Sequence, residues 1–220
     1  MIHQLTELHA VVEVPRPRQR LVYPWDIQTI KSWSLIRLWK ETSSAEIGSI
    51  FLELAEYNRV SINSDAQDVI GSILRLNGAV LPGGIQAISQ GENKKKTKVI
   101  CPMCCCDLKD WHNWVVFLKT GQSPWMGHSP MPGVERKGDV VRIYSDIESK
   151  EKTSKKYFHI ESSYSYFKQQ LKQVEKDLYE FLLCIKAWVD DLGMEGGEEL
   201  ELKFAEWFQI LPPFSRSKVK

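Results

Sequence analysis

Residues 94–112 read KKKTKVICPMCCCDLKDWH, and this stretch separates two regions of helical periodicity in the chain. It begins with a run of lysines and continues into four cysteines within six positions. Cysteines at this density act as metal ligands, as reactive thiols, or as small apolar side chains in a tight turn. The expected architecture and the expected function both follow from how this stretch is interpreted.

The spacing of Cys101 and Cys104 indicates half of a metal site. In a C-x-x-C turn two thiolates can reach one tetrahedral ion, and the lysines just upstream favour the thiolate form. Nearby histidines would supply the other half, so we predict a zinc site with the ligands Cys101, Cys104, His112 and His128. The substitutes that the sequence offers are Cys105, Cys106, Cys184 and His159.

Two other interpretations of the cysteines remain open. The thiols would fill a crowded turn as small apolar side chains, without any metal. A redox pair of Cys101 and Cys104 is the weaker alternative, because a thioredoxin-like motif needs a strand–helix alternation around it that this sequence does not have.

The same region is basic and rich in tryptophan, a combination typical of surfaces that bind single-stranded nucleic acid. Lysines would neutralise phosphates, and indole rings would stack on unpaired bases. The residues predicted to do this are Lys94, Lys95, Lys96, Lys98, Trp111, Trp125, Lys152, Lys155 and Lys156. The alternative is that the lysines are solvated surface and the tryptophans belong to the core.

The net charge of +1 hides an uneven distribution along the chain. Residues 94–176 hold 16 Lys and Arg against 9 Asp and Glu, whereas the counts are 8 against 10 in residues 1–93 and 5 against 9 in residues 177–220. Positive charge therefore surrounds the cysteines, which favours an anionic partner such as RNA or single-stranded DNA.

The sequence indicates a protein of a reducing compartment. Its apolar runs are shorter than the roughly 20 residues that cross a bilayer, and its N-terminus does not read as a signal peptide. We therefore expect a cytoplasmic protein without a membrane contact. In that environment the five cysteines are thiols or metal ligands rather than disulfides.

Apolar residues at three- and four-residue steps predict helices in the first part of the chain. The predicted helices cover residues 1–13, 26–41, 43–60 and 63–78. Ser43 with Glu46 forms a reciprocal capping pattern, and Asn63 or Ser64 would cap the last helix. Short connections between these helices predict an N-terminal helical bundle.

Short β-branched and aromatic runs follow the lysines and predict three strands, at residues 98–101, 113–119 and 139–147. A loop rich in proline and glycine, residues 120–133, lies between the second and the third. From residue 154 apolar residues recur over some seven turns, which predicts a long amphipathic helix that ends near Gly193. Residues 196–211 predict a final helix.

The predicted fold is therefore mainly α with a small β insert (α+β). Residues 1–93 would form the N-terminal helical bundle, and residues 94–153 a basic, Cys-rich knuckle with short strands. Residues 154–220 would form a C-terminal helical unit around the long amphipathic helix. The apolar stripe of that helix is expected to face a core, and a docking face for a partner is the alternative.

The sequence contains no phosphate loop, dinucleotide fingerprint, nucleophile elbow or kinase signature. We therefore predict a non-enzymatic subunit or accessory module of a larger, nucleoprotein assembly. It would contact nucleic acid backbone through its basic, aromatic-rich central segment and bind other protein subunits. One alternative is a small metal-dependent enzyme, such as a nuclease with His112 as general base. The other is an adaptor that binds only proteins.

Overall fold

The computed structural model of the 220-residue chain describes residues 3–16, 22–30, 32–90, 97–149 and 157–210. The strands in these ranges are β1 (His3–Gln4), β2 (Glu7–Val14), β3 (Ser34–Arg37), β4 (Gly83–Ser89), β5 (Lys98–Ile100), β6 (Gly133–Lys137), β7 (Val140–Tyr144) and β8 (His159–Ser163). The α-helices are α1 (Ser44–Tyr57), α2 (Ala66–Leu74), α3 (Trp111–Thr120), α4 (Tyr164–Asp191) and α5 (Gly197–Trp207). Short 3-10 helices cover Leu108–Asp110 and Ile147–Ser149.

This architecture is mixed α/β, with 41% helix and 22% strand, so the predicted mainly α fold with a small β insert is wrong. The strands form two four-stranded sheets with the orders β1-β8-β7-β6 and β3-β2-β4-β5. The predicted N-terminal helical bundle is also wrong, because both sheets take strands from the first 90 residues.

Local capping chemistry explains which N-terminal helices form. In α1 the Ser43 hydroxyl accepts from the Glu46 backbone N–H at 3.4 Å, and the Glu46 carboxylate accepts from the Ser43 N–H at 2.8 Å. In α2 the cap is Asp65 rather than Asn63 or Ser64, with its carboxylate 2.9 Å from the backbone nitrogen of Asp68. These two helices confirm their predictions.

The other two predicted N-terminal helices are absent from the described residues, where strands β2 and β3 occupy parts of them. Residues 7–14 read ELHAVVEV, in which buried and half-buried positions alternate at the start of the strand. Their β-branched valines fit a pleated surface better than a helix. Among the described residues of 26–41 only Ser34–Arg37 form regular structure, as strand β3, so the apolar spacing did not predict the local structure.

Residues 113–119 show the opposite error, because they belong to helix α3 instead of the predicted strand. Trp111, Trp114 and Phe117 recur every three residues and are at most 2% exposed. This stripe forms the buried face of α3, and the Val115–Val116 pair that suggested a strand lies outside it. Of the other two predicted strands, residues 98–100 form β5 and residues 140–144 form β7.

Helix α4 begins ten residues later than predicted, because residues 159–163 form strand β8. Its core-facing stripe is confirmed, since the predicted stripe positions from Phe167 to Val189 are buried, whereas Leu183, outside the stripe, is 54% exposed. The final helix is confirmed as α5. Within the described ranges no helix carries an apolar stretch long enough to cross a bilayer.

The described contacts divide the chain into two units, each built from two chain segments. Unit 1 comprises Met1–Val11 and Pro82–Glu175, and unit 2 comprises Val12–Leu81 and Lys176–Lys220. The chain passes between them three times, within β2, between Leu81 and Pro82, and within α4. The division into residues 1–93, 94–153 and 154–220, which rests on composition, stays a prediction.

The sheet of unit 1 has one apolar and one charged face. Val134, Ile143 and Ile160 lie opposite one another on β6, β7 and β8 and are at most 1% exposed. One position along, Arg142 faces Glu161 across β7 and β8, and their side chains form a 2.6 Å ion pair. The Arg142 guanidinium helps to hold the pKa of Glu161 below its usual range, against the raising effect of burial.

Aromatic contacts join α3 to the first part of α4 within unit 1. The Phe167 ring lies 6.0 Å from Trp114 in a stacked arrangement and 5.7 Å from Phe117 edge to face. The Tyr164 hydroxyl donates to the carbonyl oxygen of Leu118 at 2.9 Å. Helix α3 is thereby fixed at both its middle and its end.

An aromatic cluster forms the core of unit 2. Phe51 of α1 stacks on Trp188 at 5.1 Å, and Trp25 meets the same indole edge to face at 5.2 Å. The Trp25 indole N–H donates to the carbonyl oxygen of Gly48 at 2.8 Å. Residue 48 must be small, because a Cβ there would lie 2.1 Å from the carbonyl oxygen of Asp26.

Substitution of two helical glycines in unit 2 tests this packing. We expect Gly48→Ala to lower the free energy of unfolding by about 1–3 kcal/mol, because the added methyl group overpacks the contact with residues 25 and 26. Gly71→Ala is the matched control, since its methyl group would meet only the Arg75 guanidinium at 3.6 Å. The better helix propensity of alanine should raise stability there by up to about 1 kcal/mol.

Urea unfolding of both variants beside the parent chain measures the two changes. A Gly48→Ala variant as stable as Gly71→Ala would contradict the packing described for α1.

Candidate metal centre

The cysteine-rich turn starts from a sheet that fixes its first residue. Strand β5 pairs antiparallel with β4, with Ala87 opposite Ile100 and Ser89 opposite Lys98. Cys101 follows directly and is half-buried, and its sulfur lies 3.5 Å from the side-chain amide nitrogen of Gln86. Burial raises the pKa of the Cys101 thiol.

Beyond Pro102 the chain turns sharply and orients the next three cysteines differently. The Cys106 N–H donates to the carbonyl oxygen of Met103 at 3.3 Å, which closes the turn. Cys105 sits within it with φ of 68°, in the left-handed region. As a result Cys104 and Cys105 are exposed, whereas Cys106 is buried at 7% exposure. Burial raises the pKa of Cys106 to about 12.

A short helix holds the far end of the turn. The Asp107 carboxylate caps Leu108–Asp110, and it pairs with the Lys109 ammonium at 3.0 Å. The chain then continues without a break into α3, whose buried face anchors it in unit 1. The turn is therefore fixed at both ends by regular structure.

The loop of residues 121–132 packs against the turn from the other side. The Met103 N–H donates to the carbonyl oxygen of Met126 at 2.9 Å, and the Met126 side chain is 2% exposed. Gly127 follows with φ of 84°, and a Cβ at this position would lie 2.4 Å from the carbonyl oxygen of Cys104. Only glycine permits this approach of the two backbones, and it brings His128 to the turn.

The result is a group of three exposed ligand atoms that could hold a metal ion. The sulfurs of Cys104 and Cys105 and a ring nitrogen of His128 all lie within 4.8 Å of one another. Cys104 Sγ is 3.5 Å from His128 Nδ1 and also contacts the carbonyl oxygen of His128. The negative charge of the Cys104 thiolate is the main cause that raises the pKa of Cys105, as expected for two thiols that share one site.

Trp125 supports this group from the side. Its indole N–H donates to the carbonyl oxygen of Cys105 at 3.4 Å, and its ring lies 5.8 Å from the His128 imidazole, edge to face. The indole is nevertheless 44% exposed. Because Trp125 contacts two ligand residues and solvent, the environment of its indole should change when an ion binds to those residues.

The structure brings together part of the predicted zinc site. Cys104 and His128 belong to the group, and Cys105, which the sequence offers only as a substitute, completes it. Among the described residues Cys101 and His112 are not members of the group. His112 lies half-buried on α3, edge to face with the Trp111 ring at 5.7 Å. The full ligand set Cys101, Cys104, His112 and His128 stays a prediction.

The remaining substitutes have other surroundings. Cys106 is buried, and Cys184 lies on α4 in unit 2, where its sulfur is 3.5 Å from the carbonyl oxygen of Glu180. His159 lies 3.2 Å from the Glu161 carboxylate. The sequence signal that favours Cys105 over these is its position in a tight turn next to Cys104. Its left-handed backbone turns it outward, but this conformation usually marks a glycine or an asparagine, so a cysteine at this position does not predict it.

The predicted nucleic-acid contacts are described only in part. Trp111 is 2% exposed and packs in the core, so its ring is not available to stack on a base, whereas Trp125 is. The Lys98 ammonium lies 4.8 Å from the centre of the Phe158 ring. The other predicted lysines, Lys94, Lys95, Lys96, Lys152, Lys155 and Lys156, lie outside the described residues.

No protein-family model matches the chain, and the comparisons with curated proteins and with solved structures gave no match either.

Two glycines with left-handed backbone test the geometry of the turn. We expect Gly127→Ala to lower the free energy of unfolding by about 2–4 kcal/mol, because backbone strain adds to a clash with Met103 and Cys104. Gly121→Ala carries similar strain, with φ of 71°, but has open space around its Cβ. It should cost about 1 kcal/mol.

Thermal unfolding gives the two costs, and the rate at which a thiol reagent modifies the chain shows whether the turn has opened. Equal costs for the two variants would contradict the close approach of residue 127 to the turn.

Proposed function

We propose that this protein binds a zinc ion through Cys104, Cys105 and His128. The observation that carries the proposal is the convergence of three ligand atoms within 4.8 Å. A tetrahedral ion bound at the usual distances places a thiolate sulfur and an imidazole nitrogen about 3.5 Å apart. The 3.5 Å between Cys104 Sγ and His128 Nδ1 fits that separation.

The donor atoms favour zinc over the common hard cations. Two thiolates and an imidazole are ligands for zinc or for copper(I), whereas magnesium and calcium select oxygen. Structural zinc sites have four protein ligands, and sites with three protein ligands keep one coordination position for water or another molecule. Among the described residues the group has three exposed ligands, which favours a site with an open position.

The metal content of the purified protein tests this assignment. We expect about one zinc per chain, and Cys104→Ser, Cys105→Ser and His128→Ala should each weaken zinc binding at least tenfold, because each removes one ligand. Cobalt(II) substitution should give the strong absorption of thiolate coordination. Cys101→Ser is the matched control, and it should leave zinc affinity unchanged because Cys101 lies outside the group.

The control separates two ligand sets. Loss of zinc in Cys101→Ser and in His112→Ala, with retention in Cys105→Ser, would overturn this site in favour of the one read from the C-x-x-C spacing. Metal-free protein in all conditions would overturn both.

A second candidate function is contact with nucleic acid backbone by a non-enzymatic module of a larger, cytoplasmic nucleoprotein assembly. The observation that favours it is the contact between Lys98 and Phe158. In the sequence each of these residues stands two positions after a run of lysines, which ends at Lys96 in one case and at Lys156 in the other. Two basic runs that are 60 residues apart in the sequence thus lead into one place in unit 1.

The surroundings of Lys98 are consistent with excess positive charge. His3 contacts the Phe158 ring edge to face at 5.7 Å. Burial lowers the pKa of His3, and the neighbouring Lys98 ammonium lowers it further. A phosphate at this place would pair with the Lys98 ammonium and favour the protonated form of His3.

Salt dependence tests the backbone contact. We expect binding to a single-stranded RNA to weaken steeply with salt, with a log–log slope of about 0.7 for each phosphate contacted. The triple change of Lys94, Lys95 and Lys96 to Gln should lower the slope by up to about 2. The same change at Lys168, Lys172 and Lys176, which are exposed on α4, is a control of equal charge and should leave the slope unchanged.

Equal effects of the two triple variants would mean that net charge alone governs binding. An RNA affinity that does not change with salt concentration would overturn the proposal. The metal-dependent enzyme, the main alternative, instead requires turnover of a phosphodiester substrate that is lost in His112→Ala. A pure adaptor would respond to neither test and would retain its protein partners.

A further inference from the structure

A groove in unit 1 shares Trp125 with the surroundings of the candidate metal group. Its volume is about 430 Å³, within the range of about 300–1,000 Å³ that is typical of small-molecule sites. We call it the Trp125 groove, and its walls include Asn113, Val116, Gln122, Trp125, Met131 and Pro132. Among the described residues that line it, none carries a charge.

Trp125 belongs to the groove and to the surroundings of the metal group at the same time. One part of the indole contacts Cys105 and His128, as described above, and the ring also forms a wall of the groove. A molecule that packs on this indole therefore contacts the same side chain that contacts two of the three ligand residues.

The lining selects the part of a ligand that enters the groove. An uncharged groove with an exposed indole favours a planar, uncharged group, because base–aromatic stacking is strong and independent of sequence. Asn113 and Gln122 add amides that can donate to and accept from the edge of such a group. Asn113 is held in place by a hydrogen bond of 3.2 Å from its amide to the Asp110 carboxylate.

The metal selects the other part of the ligand. A zinc ion bound by two thiolates and a neutral imidazole accepts an oxygen ligand in its fourth position, and phosphate oxygens are suitable donors. An uncharged planar ring joined to a phosphate is the chemistry of a nucleotide.

We propose that the metal group and the Trp125 groove together bind a nucleotide, whose base stacks on Trp125 while a phosphate oxygen occupies the fourth coordination position. This inference rests on the proposed zinc site and adds the class of molecule that completes it. The nucleotide can be free or part of a single-stranded RNA, since the base and the phosphate are the same in both.

Titration of the zinc-loaded protein with adenosine 5′-monophosphate, adenosine, inorganic phosphate and a six-residue oligoadenylate tests the proposal. Calorimetry gives the affinities, and the indole N–H resonance of Trp125 reports contact with the base. We expect the monophosphate to bind at least tenfold more tightly than adenosine or phosphate alone. Tighter binding of the oligoadenylate would identify RNA as the source, and equal binding a free nucleotide.

Variants separate the two halves of the ligand. Trp125→Ala should weaken binding of the monophosphate by about 5- to 150-fold, whereas Trp125→Phe should retain most of the affinity because a ring is preserved. Trp33→Ala is the matched control, since Trp33 is a 49% exposed tryptophan of unit 2, and it should have no effect. At a zinc concentration that saturates the parent chain but not the variant, Cys105→Ser should lower the affinity of the monophosphate to that of adenosine.

Each contrary result has a distinct meaning. Zinc binding without nucleotide binding would overturn this inference and leave the zinc site standing, whereas absence of zinc binding would overturn the zinc site itself. Equal affinities for the monophosphate with and without zinc would mean that the bound nucleotide does not contact the metal. A proline-rich peptide that fills the groove when no nucleotide does would overturn the inference in favour of a peptide-binding surface.

Discussion

The close approach of the backbone at Gly127 to the carbonyl oxygen of Cys104 is the constraint on which the candidate metal centre depends. A side chain at residue 127 would separate the loop from the turn, and His128 would then lie away from the two exposed thiols. The hydrogen bond from Met103 to Met126 and the burial of the Met126 side chain stabilise the same approach. The site is thus made by two backbone segments in contact, and its ligands follow from that contact.

The surrounding structure explains why this turn can be both rigid and exposed. Strand β5 enters it from a sheet, and the short helix after Asp107 leads out of it into α3, whose tryptophans are buried. Anchors on both sides let the intervening residues present thiols to solvent without losing their positions, as a preorganised ligand set requires. Trp125 extends the arrangement, because one exposed indole contacts the ligand residues and also borders a groove.

The sequence predicted those features whose cause is local. The Ser43 and Glu46 capping box and the long apolar stripe of α4 are encoded within a few helical turns, and both are present. Strand β1 could not be predicted in this way, since its partner β8 is contributed by a distant part of the chain. The prediction for residues 113–119 was wrong for a related reason. A pair of β-branched residues is compatible with a strand or a helix, and tertiary packing determines which of the two forms. In the metal centre, the participation of Cys105 depends on a left-handed backbone that no residue type announces.

The composition of each unit from two separated segments has a consequence for biosynthesis. His3 in β1 pairs with Ile160 in β8, so the opening strand has no partner until most of the chain has left the ribosome. At usual translation rates this delay is on the order of ten to thirty seconds. Strand β2 waits less, because its sheet neighbours β3 and β4 both come from the first 90 residues. Because each unit is built from two separated segments, neither unit can be produced alone by cutting the gene at one point.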